Sequence, residues 1–285
     1  MRLSRDEQEI IPILREAQKR NPELKLMLSP WSPPAYMKTT AERNQGGKLL
    51  PQYRERWARY LCRYILEYQK HGLQDVVVLV WDHNKERLLE RLEAVCADPQ
   101  TNAYVGSGAF HWYTGDHFEA LELVRRRFPE KKLFFTEGCV EYSRFPRDQK
   151  ASAYMYAHDI IGNLNGGAHV SIDWNIVLDH LGGPNHVHNY CDAPVMCNIA
   201  AGEAKEQMSL KYLEHFSRYI LPGAVRIGFT RYTDRLEMTA FKNPDGSYAA
   251  VICNAGSEPL PAVLRFQGRA LKLIFPQESL STLIW

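Results

Sequence analysis

Short apolar runs alternate with longer segments of helical periodicity along most of this chain. Ser4-Arg5-Asp6-Glu7 has the capping-box pattern, so a helix is expected at once. Pro12 kinks that helix or restarts it at a first-turn position, and Asn21-Pro22 ends it. Residues 24–28 then read as a strand. It runs into Ser29-Pro30-Trp31-Ser32-Pro33-Pro34, where three prolines prevent a ladder from continuing. Tyr53, Trp57, Tyr60, Leu61, Tyr64, Ile65 and Tyr68 recur at helical spacing over residues 51–70, and Gly72 stops that helix. The β-branched run 76–80 predicts a strand, followed by Trp81-Asp82-His83-Asn84 and a helix over 85–97. A strand over 105–113 and a helix over 116–128 come next. Then comes the apolar run Lys131-Lys132-Leu133-Phe134-Phe135-Thr136, closed by Glu137-Gly138-Cys139. Tyr154, Ala157, Ile161 and Leu164 mark another helix, residues 169–175 another strand, and Leu210, Leu213, Phe216 and Ile220 a last helix.

This alternation argues for an α/β body of parallel strands with crossover helices over residues 1–224. The remainder changes character. Residues 236–242 and 247–254 flank Asn243-Pro244-Asp245-Gly246, a hairpin with suitable turn chemistry. Residues 262–266, 271–275 and 280–285 add further strands, so 225–285 is expected to form a small antiparallel β unit.

The composition is that of an ordinary soluble domain: 285 residues, 45% hydrophobic and 24% charged. A formal net charge of +2 gives no reason to expect a nucleic acid or an anionic membrane as partner. The six cysteines have no regular spacing and form no disulfide framework, which favours a reducing compartment. The segment Met1-Arg2-Leu3-Ser4-Arg5-Asp6-Glu7 is too charged for a signal peptide, and no apolar run approaches a membrane span. A cytoplasmic location is the resulting expectation.

Chemistry gathers where the strands end. A carboxylate at the C-terminal end of a buried parallel strand, as Glu137 is here, sits where barrel enzymes keep catalytic groups. The other strand ends supply Trp31, then Asp82 and His83, then His111 and Tyr113, and finally Asp173, Trp174 and Asn175. Sugars are bound by aromatic faces for their C–H surfaces and by carboxylates or amides for their hydroxyls.

Several of these segments match a family together. Ser29-Pro30-Trp31-Ser32-Pro33-Pro34, Phe110-His111-Trp112-Tyr113, Thr136-Glu137-Gly138-Cys139-Val140, Asp173-Trp174-Asn175 and Gly182-Gly183-Pro184-Asn185-His186-Val187-His188-Asn189-Tyr190 resemble glycoside hydrolase family 30, in its glucosylceramidase-type branch. The resemblance implies a (β/α)8 TIM barrel with a β-sandwich side domain and hydrolysis of β-glycosidic bonds with retention. It makes Glu137 the nucleophile, with Tyr113 orienting it and favouring its ionised form. Trp31 and Trp174 would line the glucose subsite, Asn189 would border the aglycone side, His111 would contact substrate, and Asp82 and His83 at the adjacent strand end would contact substrate or support the residues that do. The expected partner is a β-glucoside or glycan, with no cofactor.

One departure matters. The family's acid/base glutamate stands in an Asn-Glu-Pro motif after the helix equivalent to 51–70, and no Asn-Glu-Pro occurs here. The chain passes from Gly72 through Leu73-Gln74-Asp75 directly into the next strand, so one βα unit, roughly 30 residues or more, is missing. The first two barrel strands are missing as well. About five recognisable strands cannot close an eight-stranded barrel, and its open edges invite self-association. Glu141, Asp173, Asp116 and Glu119 are the carboxylates nearest in sequence to a replacement acid, and none stands at the missing position. A second reading is a non-catalytic carbohydrate-binding remnant or a gene-model fragment. Within the enzyme reading, β-1,6-glucan and β-xylosides compete with β-glucosides. His180, His186, His188, Cys191 and Asp192 cluster, but their spacing matches no zinc motif and no metal is assigned.

Overall fold

The computed structural model describes residues 4–44, 46–72, 77–185 and 187–285. The chain divides into two compact units, Met1–Val76 and Val77–Trp285.

In the first unit a π-helical turn over Asp6–Ile10 leads into helix α1 (Ile11–Arg20), with Pro12 in its first turn. Ser4 already lies inside the helix, so it does not cap it. Asn21 ends α1 in an extended conformation, as its Asn-Pro sequence requires. Helix α2 (Arg54–Lys70) follows a short 3-10 turn, and Tyr68 is its one buried residue. Tyr64 and Tyr68 both donate to Asp6 Oδ2 at 2.9 Å, which ties α2 to the start of the chain. The strand expected over residues 24–28 does not form. The segment forms no ladder among the described residues, and Met27 and Leu28 are exposed. The physical reason is local: a strand needs a neighbour to accept its backbone groups, and among the described residues of its own unit none supplies one.

The second unit opens with β1 (Val78–Asn84), α3 (Leu88–Cys96), the short α4 (Pro99–Tyr104) and β2 (Val105–His111). It continues through α5 (Phe118–Arg127), β3 (Lys132–Glu137), α6 (Gln149–Gly166) and β4 (Val170–Ser171). These four strands form one parallel sheet in the order β1-β2-β3-β4. The barrel is therefore incomplete: four of the five expected strands pair. The strand predicted over 169–175 shrinks to two residues, because its remainder turns out to bond the loop after Glu137. Leu88, Leu92, Leu121, Val124, Phe110 and Phe135 form the core between this sheet and its helices.

The loop after β4 carries a small sheet absent from the sequence reading: β5 (Val177–Asp179), β6 (Val195–Asn198) and β7 (Glu203–Glu206). These strands are short and β7 is wholly exposed, so no period-2 apolar pattern announced them. Helix α7 (Met208–Ser217) follows, then β8 (Val225–Arg226), β9 (Glu237–Lys242), β10 (Tyr248–Asn254), β11 (Leu260–Phe266), β12 (Arg269–Phe275) and β13 (Ser279–Ile284). The hairpin around Asn243–Gly246 forms as expected within an antiparallel sheet ordered β13-β10-β9-β8, and β11 pairs with β12. Strand β10 shows why the two parts hold together. Ala250 and Ile252 face a core with Leu260 and Phe275, whereas Val251 and Cys253 face α6 and α7 through Ala157, Ile161 and Phe216.

Candidate active site

The parallel sheet sets up one row of side chains at its C-terminal edge. In register, Asn84 of β1 lies opposite His111 of β2, and His111 opposite Glu137 of β3. Both pairings follow an irregularity, between Trp81 and His83 in β1 and just before His111 in β2. In β1 the irregularity is steep: Trp81 and Asp82 have φ of 87° and 51°. Non-glycine residues in this left-handed region are strained and persist only where the surroundings hold them. Here the surroundings are visible. Asp82 Oδ1 accepts from Thr136 Oγ1 at 2.8 Å and lies 3.1 Å from His111 Nε2, while Trp81 Nε1 donates to the Asn84 carbonyl at 2.7 Å. A bulge of this kind re-aims a side chain, and it turns Asp82 across the row toward β3.

Glu137 stands at the centre of the row, half-buried. Tyr113 donates its hydroxyl to Glu137 Oε1 at 2.9 Å. Tyr113 is itself fixed by its backbone N–H, which donates to Asn84 Oδ1 at 3.0 Å. Burial pushes the Glu137 carboxyl up, and Asp82 and Glu141 add to the rise; His111 and the Tyr113 hydrogen bond oppose it. The Tyr113 bond thus favours the carboxylate, but burial outweighs it. Burial, with Cys139 and Glu137 alongside, also drives the Tyr113 hydroxyl far up, so it stays a protonated donor. Gly138 has to be a glycine. A Cβ there would come within 2.5 Å of the Phe135 ring and 3.1 Å of Trp112, so no side chain fits directly after Glu137.

The other candidates fall into place unevenly. Trp174 leaves β4 with its N–H bonded to the Gly138 carbonyl at 3.0 Å, and its indole is 48% exposed, open to a ligand. Asn189 accepts from Ser143 Oγ at 3.3 Å, and its loop is joined to the segment after Glu137 by the Tyr142 N–H to Tyr190 carbonyl bond at 2.8 Å. His83 stacks parallel to His111 at 6.2 Å, and burial and His111 lower its imidazole below the ordinary value. Trp31 belongs to the first unit, where it is 61% exposed.

Of the carboxylates considered as replacement acids, Asp116, Glu119 and one oxygen of Asp173 have partners, and Glu141 is tied through its backbone. Asp116 pairs with His158 at 3.1 Å, and Glu119 lies 3.7 Å from His117. Asp173 Oδ1 accepts from Tyr156 at 2.9 Å, while its Oδ2 is buried with no partner among the described residues, and burial pushes the group up to about 7. Glu141 sits in an isolated β-bridge with Cys191. Among the described residues no group of three or more His, Cys, Asp or Glu side chains could hold a metal ion, and His186 lies outside them. Cys191 faces Cys139, and Asp192 accepts from Tyr142 and Ser209. A cavity of about 290 Å³ lies apart from Glu137, lined by residues that include Tyr142, Arg147, Ser152, Asp192 and Gln207.

Sequence reasoning missed Asn84 and Thr136, the residues that fix Tyr113 and Asp82. Their only signal was position, each being at or next to the last residue of a strand.

Residues 2–75 and 72–220 match the glycosyl hydrolase family 30 TIM-barrel domain, and residues 223–283 match the family's beta sandwich domain. The two barrel matches meet where the missing βα unit was placed. The lysosomal acid glucosylceramidase of Mus musculus is 28% identical over 337 aligned positions, covering 96% of this chain. The chain spans only 65% of that relative's length. SrfJ from Salmonella typhimurium superposes with a TM-score of 0.91 at 33% identity, covering 100% of this chain and 74% of its own. The endo-beta1,6-glucanase BT3312 shares the fold, with a TM-score of 0.82 at 23% identity, covering 100% of this chain and 76% of its own.

Proposed function

The chain belongs to glycosyl hydrolase family 30, and from that premise we propose a β-glycoside hydrolase of retaining type whose nucleophile is Glu137 and whose acid/base partner is lacking. The observation that carries this reading is the Tyr113–Glu137 hydrogen bond at the C-terminal edge of the sheet. Its natural substrate class is a β-glucoside, glucosylceramide included, with β-1,6-glucan and β-xylosides as the competing choices.

The chemistry follows from what is in place. Glu137 attacks the anomeric carbon as the leaving-group oxygen departs, giving a glycosyl ester. Retention ordinarily needs a second carboxyl about 5–5.5 Å away, to protonate the departing oxygen and later to deprotonate water. Without it both steps slow by roughly 10²–10⁴-fold. A leaving group that needs no proton escapes the first penalty, and an anionic nucleophile escapes the second.

This makes a direct test. The chain should release dinitrophenolate from 2,4-dinitrophenyl β-glucoside in a burst followed by slow turnover, and azide should accelerate the slow phase by yielding glucosyl azide. Methyl β-glucoside should be turned over at no measurable rate. Hydrolysis of methyl β-glucoside that disappears in Glu137→Gln would mean that an acid is present after all.

A non-catalytic sugar-binding remnant is the second reading, favoured by the exposed indole of Trp174. It predicts saturable binding of the same glucoside with no burst.

A further inference from the structure

Two residues beyond Glu137 lies a contact that the glycosidase reading does not use. Cys139 Sγ is 3.4 Å from Cys191 Sγ, although the residues are 52 apart in sequence. Both cysteines are buried, at 4% and 5% exposure, and all six cysteines of the chain are free thiols. The two backbones are already tied together. Glu141 and Cys191 form an antiparallel bridge, the Asp192 N–H donates to the Val140 carbonyl at 2.8 Å, and the Tyr142 N–H to the Tyr190 carbonyl at 2.8 Å.

We propose that Cys139 and Cys191 are an oxidisable dithiol that hydrogen peroxide closes to a disulfide beside the Glu137 carboxylate. The sulfurs need to approach by only about 1.3 Å to reach bonding distance, and the bridged backbones hold them in line. The two thiols are not equivalent. Cys139 donates to Cys191, which favours the Cys191 thiolate and opposes that of Cys139. Cys191 is therefore the attacking sulfur.

The step balances as follows. The Cys191 thiolate attacks one peroxide oxygen, the O–O bond breaks, and hydroxide leaves and is protonated to water. The resulting sulfenic acid is attacked by Cys139 sulfur, the S–O bond breaks, and the departing hydroxide takes the Cys139 proton as a second water. Two thiols are oxidised by two electrons, and one peroxide is reduced to two waters.

Closure reaches the nucleophile through one group. The Tyr113 hydroxyl lies 3.5 Å from Cys139 Sγ and 2.9 Å from Glu137 Oε1. Drawing the Cys139 sulfur toward Cys191 pulls on the strand exit that carries Glu137 and moves the carboxylate against its Tyr113 donor. A displacement of order 1 Å in a reacting group costs up to ~10²-fold. Loading of Glu137 should therefore slow by about tenfold or more.

The test uses the full chain, fully reduced and then treated with one equivalent of hydrogen peroxide at neutral pH. The expected result is a loss of about 2 Da, a peptide pair linked through Cys139 and Cys191, and recovery on adding dithiothreitol. Cys191→Ser should give no linked peptide. Oxygen adducts on separate cysteines, or a disulfide between other positions, would overturn the dithiol. Labelling by an activated 2-fluoroglucoside reads the coupling: an equal rate in bridged and reduced chain would overturn it. A reduced chain that never labels counts against the glycosidase reading alone, because the mass change and the linked peptide decide the dithiol by themselves.

Discussion

Tyr113 and Glu137 carry most of the argument at the scale of single residues. As the proposed nucleophile Glu137 would react only as the carboxylate, yet burial raises it, and the Tyr113 hydrogen bond is one of two influences that pull it back. Removing that bond in Tyr113→Phe should slow covalent labelling by roughly tenfold to a hundredfold, the usual worth of a hydrogen bond to a charged group. The sign of the pH effect is fixed as well. Labelling rises with pH as Glu137 ionises, so the variant's rise should move to higher pH; an unmoved profile would deny Tyr113 its role. The sequence placed both residues at the ends of apolar runs, while their pairing was an expectation drawn from the family resemblance alone. It could not reveal that Asp82 is held by Thr136, 54 positions away, or that Cys139 meets Cys191. Contacts between distant polar residues leave no periodic trace.

At the scale of elements, the joint between β1 and α3 is the most consequential feature that the sequence hid. Lys85, fully buried, bonds Asp159 and also donates to Asn163 Oδ1 at 3.1 Å, both on α6. Burial pulls the Lys85 ammonium down and pushes the Asp159 carboxyl up, each against the attraction of the other. Breaking such a pair from one side strands a charge. Lys85→Met should cost about 3–5 kcal/mol, read as a lower urea midpoint, and adding Asp159→Leu should recover much of it. No loss in the single variant would show the pair to be incidental. A lysine after a strand reads as a solvated charge, so nothing in the pattern marked it. The helices and the hairpin were legible, since their periodicity is local. Residues 24–28 were misread because an apolar run specifies extension, whereas a strand also needs a neighbour.

At the scale of the whole second unit, a charged triad joins the sheet's helices to the sandwich. His158 on α6 lies 2.8 Å from Glu237 on β9 and 3.1 Å from Asp116 before α5. Chiefly through the Glu237 bond, its imidazole is raised from 6.5 to about 9. A raised folded value means stability that is present in full below about 6.5 and lost as pH climbs through about 9. The triad is partly exposed, so solvent screening keeps the effect modest. The urea midpoint of the native chain should fall more between these limits than that of His158→Gln. Equal slopes would remove the triad from the account. The fold class, an α/β body with an antiparallel β unit, was readable from the sequence because helical periodicity with apolar strand runs gives way to alternating strands. The incompleteness of the barrel was readable too, from a motif that is not there.

The central claim is that Glu137 is a competent nucleophile without its partner, and one measurement addresses it most directly. The intact chain is incubated with 2,4-dinitrophenyl 2-deoxy-2-fluoro-β-glucoside, weighed by mass spectrometry and mapped by peptide digestion. The account predicts a single fluoroglucosyl adduct on the peptide carrying Glu137, absent in Glu137→Gln and released faster by azide than by water. A chain that binds the reagent saturably and never gains its mass, or gains it on another carboxylate, contradicts the account.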